Sequence, residues 1–137
     1  MAKDYLCPMC KGQLRVVNSI VISVKINNSS RKGLVFLNAE IGNYEKITHP
    51  TFKITEGDEL TVFCPICQTT LNREENHHLV KLVTIDEKGD EVDVFFSGIV
   101  GEKCTYVVKN KVVQEAGPDV KLYGKYFDIP EEDRKYL

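Results

Sequence analysis

The 137-residue sequence predicts a mainly β protein, and three observations predict it. Apolar and polar residues alternate with period two, above all from Leu14 to Ile26. Clusters of Asn, Asp, Gly and Ser interrupt these stretches at hairpin spacing. Two Cys-Pro-x-Cys turns, Cys7-Pro8-Met9-Cys10 and Cys64-Pro65-Ile66-Cys67, border strand-like segments.

Taken in order, Leu14 to Ile26 reads as one long strand with Leu14, Val16, Ile20, Ile22, Val24 and Ile26 on one face. Residues 27–33 form a loop by composition, and Leu34–Leu37 reads as the return strand. Ile41 to Pro50 reads as irregular, with Gly42 and Pro50 as breakers. Phe52–Thr55 and Leu60–Phe63 flank Glu56-Gly57-Asp58-Glu59 and read as a hairpin feeding the second cysteine pair. Leu79–Ile85 and Glu91–Phe96 flank the turn Asp86–Asp90, with one face that starts acidic and solvated. Ser97 to Gly101 reads as a turn or bulge. Cys104–Val108 and Val112–Gln114 flank Lys109-Asn110-Lys111 as a third hairpin. Gly117-Pro118 ends the pattern, so residues 1–117 read as one β domain, split into 1–75 and 76–117. Residues 118–137 read as a tail, with Tyr123, Tyr126 and Phe127 packing on the sheet and a short helix starting at Asp128 or Ile129.

The net charge of −2 argues against an overall basic nucleic-acid binder. It conceals an asymmetry: residues 1–55 carry a net +5 and residues 56–137 a net −7. No stretch has the apolar character of a signal peptide or a membrane span, so the expected location is cytoplasmic. In a reducing compartment, cysteines spaced as C-x-x-C serve more often as metal ligands or redox centres than as structural disulfides. Five cysteines fit four ligands and one ordinary residue, Cys104, which a strand pattern makes a small buried hydrophobe.

The expected metal is Zn2+, held by Cys7, Cys10, Cys64 and Cys67. Zinc takes four thiolate or imidazole ligands in a tetrahedron, and two cysteines two residues apart reach one ion from a tight turn. Proline after the first ligand fixes φ and stiffens that turn. Backbone amides after the second ligand spread the thiolate charge. Gly12 offers the positive φ such a turn often needs, whereas Thr69 at the matching place predicts that the second turn closes differently. His77 and His78 follow Cys67 closely enough to compete as ligands.

These residues resemble the zinc-ribbon superfamily, on Cys7, Pro8, Cys10, Gly12, Cys64, Pro65 and Cys67. The resemblance implies a knuckle at the tip of each of two β-hairpins. It covers the two turns and their adjoining strands. The 53 residues between Cys10 and Cys64 far exceed a compact ribbon and imply an inserted hairpin or small sheet. Rubredoxins use similar turns for iron, with glycine after the second cysteine of each pair; Lys11 and Gln68 stand there in this chain.

The function expected from this pattern is a non-catalytic, zinc-locked module that binds another protein. A nucleic-acid-associated ribbon in transcription or translation machinery is the alternative, and it needs Arg15, Lys25, Arg31, Lys32, Lys46 and Lys53 on one exposed face. Catalysis needs a pocket joining Cys104 or a histidine to acidic groups. The hairpins after Leu79 carry their own alternation and are expected to depend less on the metal than residues 1–75.

Overall fold

The computed structural model describes residues 4–74, 76–110, 112–127 and 134–136, without the side chains of 124–136. The described residues are mainly β and form eleven strands in two sheets. The strands are β1 (Tyr5–Leu6), β2 (Arg15–Val16), β3 (Ser19–Ile26), β4 (Lys32–Asn38), β5 (Lys46–Thr48) and β6 (Leu60–Phe63). They continue with β7 (Leu79–Ile85), β8 (Glu91–Ser97), β9 (Thr105–Lys109), β10 (Val112–Ala116) and β11 (Arg134–Tyr136). A 3-10 helix covers Val120–Phe127. The expected helix start at Asp128 or Ile129 lies outside the described residues.

One sheet runs β1-β7-β8-β9-β10-β11, antiparallel except for the last pair. In the other, β4 covers one edge of β3, while β2 and β6 share its opposite edge end to end. β5 pairs with the far side of β4. The inward residues of β3 (Ile20, Ile22, Val24, Ile26) meet Val80, Leu82, Val92, Val94 and Val107 of the first sheet in one core. The reverse face of the first sheet is covered too. Leu79, Phe95, Cys104, Tyr106 and Val113 pack there with Val120 and Tyr123 of the 3-10 helix. The face of β8 that begins acidic at Glu91 and Asp93 therefore ends buried at Phe95, which is 6% exposed.

Three sequence expectations need correction. The run from Leu14 to Ile26 is two strands: the chain turns at Val17-Asn18, pairing Val16 with Ser19 and Arg15 with Ile20. The two-residue loop reverses the phase: Arg15 stands opposite the buried Ile20, and Val16, expected on the inward face, is 56% exposed. The segment from Ile41 to Pro50 contains β5, a short edge strand that its breakers hide. Residues Phe52–Thr55 form no strand; Leu60–Phe63 pairs with β3 instead. Phe52 lies against Gly33, where a Cβ would come within 2.6 Å of its ring. That contact carries the segment across β4 rather than alongside β6. Asp58 then closes a local turn, its Oδ2 accepting the Thr55 amide at 2.8 Å.

Candidate metal centre

Each cysteine pair caps a short hairpin. The bridge Leu6–Gln13 closes the first and Phe63–Thr70 closes the second. In the first, the Cys7 amide donates to the Gly12 carbonyl at 3.1 Å and the Lys11 amide to the Cys7 carbonyl at 2.9 Å. In the second, the Cys64 amide donates to Thr69 and the Gln68 amide to Cys64, both at 2.9 Å. The two turns are thus built alike, contrary to the expectation from Thr69. The left-handed residues are Lys11 (φ 59°) and Gln68 (φ 67°), one place after each second cysteine, and not Gly12. Glycine at position 12 serves space: Ile66 of the other turn lies over it.

The turns aim amide hydrogens at sulfur. Met9 and Cys10 donate to Cys7 Sγ at 3.4 and 3.5 Å, and Ile66 and Cys67 donate to Cys64 Sγ at 3.3 and 3.4 Å. Gly12 donates to Cys10 Sγ at 3.4 Å. Such bonds stabilise thiolates and fix their direction.

All four Sγ atoms lie within 4.8 Å of one another. Cys7 and Cys67 approach to 3.8 Å, as do Cys10 and Cys64. A tetrahedron with metal–sulfur arms of ~2.3 Å has edges of about 3.8 Å, so this spacing fits four thiolates on one ion. It far exceeds the ~2.05 Å of a disulfide, and all five cysteines are free. Cys7 and Cys64 are buried, Cys10 and Cys67 exposed. Burial pushes the Cys7 thiol up to about 12 and raises that of Cys64, while the Thr69 amide lowers that of Cys67. A bound cation supplies the charge that lets the two buried sulfurs ionise. The four cysteines can therefore hold a metal ion in a zinc-ribbon-like site.

Two side-chain amides that no sequence pattern singles out hold the turns in place. Gln13 Oε1 accepts the amides of Tyr5 and Arg15, both at 3.1 Å, behind the first turn. Asn72 does more behind the second. Its Oδ1 accepts the Val62 amide at 2.7 Å, and its Nδ2 donates to Leu60 and His77 carbonyls at 3.1 and 2.7 Å. Each stands in for a missing backbone partner.

The other candidates lie elsewhere. His78 Nε2 is 3.5 Å from Glu59 Oε1, and His49 meets Thr51, so neither joins the sulfur cluster. His77 is likewise outside that cluster. Cys104 is buried in the second core, where burial first, then the charges of Glu102 and Asp119, push its thiol up to about 12. It does line a cavity with Glu102, but no histidine lines that cavity, and a protonated thiol is a poor nucleophile.

Among the described residues no helix is long and apolar enough to cross a membrane. No family model matches the sequence, and comparison with curated proteins and with solved structures gives no match either.

Proposed function

We propose that the protein is a structural zinc protein whose metal fixes two β-hairpin turns and whose outer sheet face receives another protein. The observation that carries the zinc reading is the four-sulfur cluster with opposed 3.8 Å edges. Zinc imposes no geometry of its own and accepts the tetrahedron the chain offers, and four cysteines leave no open position for catalysis. Lys11 and Gln68 adopt the left-handed turn without glycine, so their identity no longer argues against iron, and composition must be measured. Elemental analysis of protein purified without added metal should give one zinc per chain and no iron. One iron per chain, with the visible absorption of ferric thiolate, would replace this reading.

The interaction role draws support from the outward face of β3, β4 and β5. Val21, Phe36 and Ile47 stand in register as an apolar row across three strands, with Leu34 beside it. Leu34 is 49% and Ile47 65% exposed. A photoreactive residue placed at Ile47 should crosslink a defined protein in the native cell, and Phe36→Ser should abolish the product. Crosslinks to nucleic acid would favour the alternative. That alternative has less support, because only Lys25 and Lys32 pair on the outer face. Arg15 bonds to Asp4, Arg31 stacks over Phe52, and Lys46 follows the inward register of Leu37.

A further inference from the structure

Between the two sheets, under residues 39–45, lies a cavity of about 70 Å³. Its walls are mostly apolar: Ile20 and Leu37 from one sheet, and Leu82, Val94 and Phe96 from the other. The covering loop is pinned at both ends by tyrosines. Tyr5 donates to the Ala39 carbonyl at 2.9 Å, and Tyr44 donates to the Ala116 carbonyl at 3.0 Å. Between those pins Glu40 and Gly42 are exposed, and Gly42 has a left-handed φ of 94° with open space where a Cβ would stand. The loop is held at its ends, and between them Ile41 packs against the core.

Glu40, Glu45 and Glu102 also line this space, and several of its polar groups are already engaged. Ser97 donates to Glu102 at 2.6 Å, Glu102 also accepts from Tyr123, and Thr105 meets Tyr44 at 3.1 Å. Lys46 differs. It stands opposite Leu37 on the inward side of β5, half-buried, and no carboxylate of the described residues pairs with it. Burial lowers its pKa, and the nearby charge of Lys103 lowers it further. An ammonium so placed gains from any anion that reaches it.

We propose that this cavity binds a small carboxylate with a short apolar tail, the tail between the sheets and the carboxylate on Lys46. The volume limits the tail. An engineered cavity of ~150 Å³ holds benzene, so about 70 Å³ takes on the order of three or four carbons. The carboxylate replaces water on the lysine, and the apolar inner walls take the tail. The site is separate from the cysteine cluster and does not rest on the identity of the metal.

Butyrate is the probe. Amide and methyl NMR spectra of the metal-loaded protein would be followed during titration with sodium butyrate, 1-butanol, butylammonium chloride and sodium chloride. Butyrate should saturate shifts at residues 37–46 and 94–96 and give cross-relaxation from its methyl group to Leu82 and Val94 methyls. Butanol should bind about tenfold more weakly, since it lacks the charge-assisted bond, and butylammonium should not saturate. Lys46→Met should remove butyrate's advantage over butanol. Equal binding of butanol or butylammonium, or shifts no different from those of sodium chloride, would overturn the proposal and leave Lys46 as a lysine that merely covers the end of the core. The cross-relaxation experiment uses the natural sequence, so its absence overturns the proposal even where Lys46→Met does not fold.

Discussion

Ile66 lies over Gly12 with no room for a side chain between them: a Cβ on Gly12 would sit 2.5 Å from Ile66 Cδ1 and 3.3 Å from Cys10 Sγ. Each cysteine turn thus shapes the other apart from any shared metal. Gly12→Ala should displace the tip of Ile66, which is 59% exposed and moves cheaply, for a loss of at most about 1 kcal/mol. Ile66→Ala should rescue it, so that the double variant matches Ile66→Ala alone in urea unfolding of the metal-loaded protein. A loss that persists in the double variant would mean that Gly12 serves backbone conformation instead.

Val17 is a β-branched residue at φ 55° and 76% exposed. Left-handed backbone costs such a residue roughly 1–2 kcal/mol, and here no packing compensates. Val17→Gly should raise stability by about 0.5–1.5 kcal/mol after the entropy cost of glycine. Val17→Ala, which keeps a Cβ, should gain much less. Urea midpoints of the three proteins test this, and equal midpoints would show that the turn is unstrained.

That same residue explains part of what the sequence conceals. The cysteine spacing announced the four-sulfur cluster, and the alternation in β3, β7 and β8 announced the strands, because both patterns are local. Val17 disguised a turn, since a strand-forming residue occupies its left-handed corner. Residues Lys46–Thr48 pair at an edge, where one side of the strand needs no apolar pattern. The partner of Leu60–Phe63 is β3, more than thirty residues away, and no local signal encodes that choice. Gln13 and Asn72 were illegible for the same reason: their importance comes from the backbone groups they meet.

The turn between β7 and β8 carries a pH-sensitive tie. Asp86 Oδ1 accepts the amides of Lys88 and Asp90, both at 2.9 Å, and its Oδ2 pairs with Lys109. The Lys109 ammonium, then the Asp90 and Lys88 amides, depress its pKa from 3.8 to about 2. A depressed carboxylate stabilises the fold above its unfolded pKa and loses that effect as pH falls through the folded one. Asp86→Asn keeps an oxygen for the amides and removes the charge. The variant should melt below the natural protein at neutral pH, and the gap should close between pH ~4 and ~2. A gap independent of pH would assign the effect to the amide caps alone.

Metal removal should act unevenly. Cys7 and Cys64 belong to the first core, whereas Leu79, Phe95, Tyr106, Val113 and Tyr123 form the second without any metal ligand. After chelation, hydrogen exchange should accelerate first in β1, β2 and β6, while β9 and β10 keep protection longest. Uniform loss would show that both cores open as one unit, and unchanged protection would show that the metal is not structural.

The partner of β1 has a consequence for synthesis. Tyr5 pairs with Thr84 and Leu6 with Val83, so β1 must wait for β7. Cys7 likewise precedes Cys64 by 57 positions. At translation rates of ~5–20 residues per second, Cys7 and Cys10 are made about 3–11 s before their partners. During that interval they form at most half a site, open to oxidants and to stray soft metals. The completed cluster ends this exposure, and with it β1 finds its place in the sheet.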